Sequence, residues 1–199
     1  MVWTLPNLLT AMRLLAAPAL VLAFYAVERP WADWIAFWLF IGAAFTDLLD
    51  GWLARRLGQQ SALGAALDPI ADKAMVMAAL AVLIWTHRSA ALIATPALVI
   101  VAREVVVSWL RGWLGGASLP VTPLAKWKTT SQMVAIGGLL LVAPVAVWES
   151  GAGGLPAGAS RALDMGGVAL LWIAALLTAV TGWDYVRKGL AYIRGTEGR

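Results

Sequence analysis

The sequence predicts an all-α, polytopic membrane protein with six transmembrane helices, on three observations. Hydrophobic residues make up 61% of the 199-residue chain and charged residues 13%, where soluble domains run at about 45–50% and about 25%. The mean hydropathy is +0.79, and the apolar runs are long enough for helices rising about 1.5 Å per residue to cross a bilayer. No run alternates with the period of two that a lipid-facing barrel strand requires. A single domain, residues 1–199, is the expected count.

The elements follow from punctuation along the chain. A short N-terminal interfacial segment places Trp3 at headgroup depth. Pro6 and Asn7 open the first helix, Leu8 to Val27, with Asn7 or Thr10 as the capping side chain. Arg13 sits near its inner end, and Glu28-Arg29-Pro30 closes it. The second helix spans Trp31 to Leu53 and the third Gly64 to Thr86, joined by the polar stretch Arg55 to Ser61. Pro69 is tolerated early in the third helix, where N–H groups lack an internal partner. His87-Arg88 turns the chain into a fourth helix, Ala90 to about Arg111, with a bend expected at Pro96. The loop Gly112 to Pro123 leads to the fifth helix, Leu124 to Val147. A Gly-rich segment then leads to the sixth, Leu163 to Tyr185, and a basic tail.

Six spans put both termini on one side of the membrane. Twelve of the fifteen Lys and Arg residues fall on that side, and only Arg29, Arg88 and Arg161 on the other. The excess of positive charge inside then makes the termini cytoplasmic, in a bacterial-type inner membrane. Most of the twelve tryptophans lie near predicted helix ends, as an aromatic belt would. With no cysteine and one histidine, His87, the chain has no thiolate, disulfide or histidine-cluster chemistry. His87 falls in an outer loop and is assigned no catalytic role. No nucleic-acid partner is expected.

Chemistry is concentrated in four carboxylates. Asp47 and Asp50 are three residues apart and Asp68 and Asp72 four apart, so each pair shares a helical face. The pairs flank one loop, which puts them at the same side of the bilayer. Such a cluster beside hydrocarbon needs cations. Oxygen-only anionic donors suit Mg²⁺, Mn²⁺ or Ca²⁺, and four of them suffice for two ions roughly 4 Å apart. Gly51 and Gly64 clear the helix face nearby, and Arg55, one turn beyond Gly51, is placed to pair with a phosphate. Ala54, Ala65 and Ala71 let the helices approach. On this chemistry alone an ion-conducting channel or transporter remains the alternative from another class.

The pattern Asp47-x2-Asp50-Gly51-x2-Ala54-Arg55-x8-Gly64-x3-Asp68-x3-Asp72 resembles the signature of the CDP-alcohol phosphatidyltransferases at every fixed position. Leu67-Asp68-Pro69-Ile70-Ala71-Asp72-Lys73 resembles the phosphatidylglycerophosphate synthase branch. So do Pro6-Asn7-Leu8-Leu9-Thr10 with Arg13, Ala102-Arg103-Glu104-Val105-Val106, and Lys126-Trp127-Lys128-Thr129-Thr130-Ser131-Gln132. The resemblance implies a metal-dependent transfer of a phosphatidyl group from CDP-diacylglycerol to sn-glycerol 3-phosphate, releasing CMP. It implies two divalent ions, Mg²⁺ or Mn²⁺, on Asp47, Asp50, Asp68 and Asp72, with Asp72 also the general base. Gly51, Ala54, Arg55 and Gly64 would line the CDP site, and a homodimer is the family's habit.

For the acceptor phosphate the expectation is Arg103, Arg111, Lys126 and Lys128, with Arg13. Arg103 is the most telling, because a charge inside a span points to function. Adjacent helical residues point about 100° apart, so Arg103 and Glu104 are expected to serve different neighbours. Asp184 is expected to pair with an arginine of the tail, and Gly137-Gly138 and Gly166-Gly167 to mark close packing. The main rival within the class is another acceptor: phosphatidylglycerol, inositol phosphate or serine.

Overall fold

The structure, a computed structural model, describes residues 5–57, 62–113, 124–151 and 154–197. Side chains at 5, 6, 48, 50–57, 62, 63, 65, 66, 111, 124–126, 190 and 192–197 lie outside that description. It is all-α: α1 Leu5–Ala26, α2 Trp31–Leu57, α3 Ala62–Thr86, α4 Ala90–Trp113, α5 Leu124–Leu140, α6 Val142–Ser150 and α7 Ala159–Glu197. Four stretches among the described residues are long and apolar enough to cross a membrane: Asn7–Ala26, Ala90–Leu110, Trp127–Ser150 and Ala159–Gly189. The chain is an integral membrane protein. Accordingly Trp31, Trp38, Trp109, Trp127 and Trp183 are exposed, the placement expected of side chains that face lipid.

Several boundaries differ from expectation for identifiable reasons. The first helix is already formed at Leu5, so Asn7 and Thr10 lie inside it and do not cap it. The fifth helix breaks at Leu141, whose N–H reaches back only three residues to the Gly138 carbonyl at 3.1 Å. Pro144 supplies no N–H to the carbonyl of Leu140, four residues before it, so the α-helical ladder cannot run through unbroken. At Pro96, by contrast, α4 is continuous. The last helix runs 39 residues to Glu197, well past Tyr185. There Lys188 pairs with Asp184 at 2.7 Å, an i,i+4 bridge along one face; the partner is a lysine, not the arginine expected.

The chain divides into two compact units, Met1–His87 with Gly137–Asp164, and Arg88–Ile136 with Met165–Arg199. In the first, α1 packs against both α2 and α3. Its buried stripe is Asn7, Thr10, Arg13, Ala17, Leu20 and Ala23, spaced three or four apart as one helical face requires. The stripe is polar for two turns and apolar thereafter. On α2 the buried line Ala32, Ala36, Phe40, Ala43 leads to Asp47, and on α3 Asp68 precedes Ala71, Met75 and Ala79 in the same register. Small residues at so many of these positions let the helices come close. A Cβ on Gly137 or Gly138 would meet Ile41 or Leu163 at 3.6 Å, an ordinary van der Waals distance, so neither position requires glycine for its packing. Nothing lies within 4 Å of a Cβ built on Gly166, so that glycine is no packing point among the described residues.

In the second unit the buried line on α4 is Ile93, Ala97, Ile100, Val107 and Leu110, with Arg103 and Glu104 in the gap. On α5 it is Lys128, Gln132 and Ala135, and on α7 Leu171, Ala174, Thr178, Thr181 and Tyr185. A polar seam therefore runs through the middle of an otherwise apolar interior.

Candidate active site

The polar end of the α1 stripe holds two of the signature carboxylates. Thr10 Oγ1 donates to Asp68 Oδ1 at 2.6 Å, and Arg13 Nη1 donates to Asp47 Oδ1 at 2.7 Å. Thr10 and Arg13 are one turn apart, about 4.5 Å along the axis. One carboxylate from each half of the signature therefore meets the same turn of α1. The Arg13 side chain is 1% exposed while that of Asp47 is 47% exposed. The cation is sealed in the helix packing, and the anion it holds opens outward. Asp72, one turn beyond Asp68 on α3, is exposed, and Gly64 at the start of the same helix is buried.

Among the described residues, no group of three or more His, Cys, Asp or Glu side chains is placed to hold a metal ion. The fourth carboxylate, Asp50, lies outside the described side chains. The donors that are described fit a hard divalent cation in kind, being anionic oxygens held by hydrogen bonds from neighbours. Of the residues expected to line the CDP site, Gly51, Ala54 and Arg55 also fall outside the described side chains. The same is true of Arg111 and Lys126 from the acceptor set.

The second unit holds the rest of the expected acceptor set. Glu104 Oε1 accepts from Arg103 Nη1 at 2.8 Å and from Lys128 Nζ at 2.7 Å. The expectation that Arg103 and Glu104 serve different neighbours is overturned. The Cα–Cβ vectors do diverge, but the long arginine stem folds its guanidinium back onto the next residue. Arg13, grouped with these cations from sequence, belongs by contact to Asp47.

The sequence profile described as CDP-alcohol phosphatidyltransferase matches residues 3–180. The chain belongs to that family. The match runs through both units. Among curated relatives, the CDP-diacylglycerol–glycerol-3-phosphate 3-phosphatidyltransferase of Cereibacter sphaeroides is 46% identical over 96% of this chain and 98% of its own. The proteins of that name from Haemophilus influenzae and Escherichia coli K12 are 38% and 37% identical, over 94% and 96% of this chain and 94% and 97% of their own.

The structure also gives contacts to residues that the sequence left outside the candidate site. Thr10, expected as a helix cap, instead holds Asp68, and the signal for this was its three-residue spacing from Asn7 and Arg13. Asp33 is buried and takes both ends of the Arg29 guanidinium at 2.7 and 2.8 Å. His87 Nε2 lies 2.8 Å from Asp164 Oδ1, which ties the end of α3 to the start of α7 and gives Asp164 a role. Glu149 accepts hydrogen bonds from the Gly158 N–H and from the N–H and hydroxyl of Ser160. It thereby caps the first turn of α7, where a negative charge is favoured.

Proposed function

We propose that this chain transfers the phosphatidyl group of CDP-diacylglycerol to the primary hydroxyl of sn-glycerol 3-phosphate, giving phosphatidylglycerophosphate and CMP. The observation that carries the reading is the gathering of Asp47 and Asp68 on one turn of α1 through Arg13 and Thr10. Family membership and the activity for which the relatives are named support it.

In this reading Asp47, Asp50, Asp68 and Asp72 hold two divalent cations, Mg²⁺ or Mn²⁺. Such ions, when bound, polarise a phosphoryl oxygen and neutralise charge on the attacking and leaving oxygens. Asp72 takes the proton from the acceptor hydroxyl. The hydroxyl oxygen forms a bond to the phosphorus next to the diacylglycerol, the bond from that phosphorus to the oxygen bridging it to CMP breaks, and CMP carries the electron pair away. Gly51 and Gly64 leave room for the diphosphate near the backbone, with Ala54 beside them, and Arg55 pairs with it. Arg103 and Lys128, with Arg111 and Lys126, bind the acceptor's phosphate. Arg13 and Thr10 hold the carboxylates.

Each of α1, α2, α3, α4, the α5–α6 pair and α7 is taken as one crossing of the membrane. Six crossings and the distribution of Lys and Arg put both termini and the carboxylates in the cytoplasm. The same reading takes the working form as a homodimer, which the mass of the solubilised species checks.

The deciding assay uses purified protein with CDP-diacylglycerol and sn-glycerol 3-phosphate, phosphatidylglycerol, inositol phosphate or serine, with and without chelator. CMP release only with sn-glycerol 3-phosphate, abolished by chelator and restored by Mg²⁺ or Mn²⁺, is the expected result. Release with a different acceptor would reassign the substrate. Ion flux without CMP release would overturn the reaction class.

A further inference from the structure

We propose that Gly182 and Glu104 are positioning residues for the acceptor: together they fix where Arg103 and Lys128 present their charges to the phosphate. The inference rests on the reading of those two cations as the acceptor-phosphate site, and adds to it the groups that set their geometry.

Gly182 acts on the stem of Arg103. A Cβ at position 182 would stand 2.6 Å from Arg103 Cγ and 3.5 Å from Nε. No real Cβ approaches a carbon at 2.6 Å, so the path of the stem past α7 exists because residue 182 has no side chain. The backbone there is ordinary helix. A glycine in a helix interior disfavours the helix relative to alanine, so what it supplies at this position is space.

Glu104 acts on the head. One carboxylate oxygen, Oε1, takes a hydrogen bond from Arg103 on its own helix and another from Lys128 on α5. The two cations are thereby held around a single point. A phosphomonoester offers three oxygens to such a pair, and the guanidinium and ammonium both keep donors for it. Lys128 is 9% exposed at the side chain, and a buried ammonium needs a counter-charge before substrate arrives. Arg103 Nε and Thr178 Oγ1 are buried with no hydrogen-bond partner among the described residues. In native interiors such groups are rare and call for a reason. Thr178 lies one turn before Gly182 on α7, the glycine against which the Arg103 stem packs.

A different role for Glu104 predicts the opposite sign. Were its carboxylate a resident stand-in for the phosphate, removing its charge would relieve competition and tighten acceptor binding. As a positioning group, its removal loosens binding.

The experiment measures CMP release by the purified full-length protein at varied sn-glycerol 3-phosphate and, separately, varied CDP-diacylglycerol. Arg103→Ala and Lys128→Met test the underlying site. Each raises the KM for sn-glycerol 3-phosphate if that site is correctly assigned; if neither does, the acceptor reading itself falls and takes the inference with it. Gly182→Ala and Glu104→Gln are then each expected to raise that KM about tenfold, with the KM for CDP-diacylglycerol within about twofold of the parent. In an Arg103→Ala background Gly182→Ala is expected to add nothing further, because its effect passes through a side chain already removed. The inference is overturned, with the acceptor reading intact, by any of three results: unchanged acceptor KM in both positioning variants, a lowered KM in Glu104→Gln, or an undiminished effect of Gly182→Ala without Arg103. Should Gly182→Ala fail to fold, Glu104→Gln and the sign of its KM change decide alone.

Discussion

Arg13 on α1 and Asp47 on α2 form an ion pair at 2.7 Å in which the cation is buried and the anion is half exposed. That asymmetry fits a cation placed to aim a carboxylate better than one placed to staple two helices. A half-exposed carboxylate that loses its partner returns to water cheaply, so the stability cost of Arg13→Met is small, about 1 kcal/mol. Its aim is lost nonetheless. Neighbours that orient metal-binding carboxylates are typically worth about tenfold to a hundredfold in activity or metal affinity. Arg13→Met is therefore expected to cut CMP release by that factor with little change in thermal unfolding. A large drop in unfolding temperature with retained turnover would contradict this.

Thr10 offers a finer test, because valine matches its shape and removes only the hydroxyl. The bond to Asp68 at 2.6 Å disappears in Thr10→Val and is retained in Thr10→Ser. Titrating Mg²⁺ or Mn²⁺ into chelator-treated enzyme is expected to give a half-activating concentration about tenfold higher for Thr10→Val and near parental for Thr10→Ser. Equal curves for all three proteins would remove Thr10 from the site.

Asp72 is exposed and lies one turn from Asp68, where a base must be if the acceptor is to reach it. Replacing it with asparagine keeps the shape and removes the proton acceptor. General-base contributions run at about 10²–10⁴-fold, so Asp72→Asn is expected to lose at least about a hundredfold in kcat. A kcat within tenfold of the parent would reassign the base.

What was readable in the sequence follows from what is rare in hydrocarbon. Four aspartates on helical spacing stand out in an apolar chain, and long apolar runs fixed most helix positions to within a few residues. Less readable were features that depend on a neighbour distant in sequence. Nothing around Gly182 says that an arginine stem from α4 passes over it. Nothing around Glu104 says that Lys128 on α5 shares its oxygen. The pairing of Arg103 with Glu104 escapes the 100° rule, which describes the direction of Cβ and not the reach of a long side chain. The break at Leu141 had a local signal in Pro144, but the run of apolar residues on both sides masked it. From sequence alone Thr10 reads as a cap and Arg13 as an acceptor ligand. Their spacing on the buried face of α1 was the cue to a shared role.

Arg29 and Asp33 illustrate a charge pair with the opposite asymmetry and a different consequence. The Asp33 side chain is 3% exposed and that of Arg29 45%. The arginine binds both carboxylate oxygens and extends Nη1 to the Thr86 carbonyl at 3.3 Å. It thus links the first turn of α2 to the last of α3. Removing the arginine strands a buried carboxylate, whereas neutralising the aspartate lets the arginine turn to water. Stranding one member of a buried pair costs about 3–5 kcal/mol, and losing a single hydrogen-bonded pair without stranding costs about 1 kcal/mol. With Arg29 partly solvated, the low end of the first range applies. Arg29→Ala is therefore expected to lower stability by about 3 kcal/mol and Asp33→Asn by about 1 kcal/mol, read by thermal unfolding in detergent. The surviving folded protein should release CMP at a rate within about twofold of the parent, since neither residue belongs to the proposed chemistry. Equal destabilisation by the two changes would mean that Asp33 finds water or another donor once the arginine is gone.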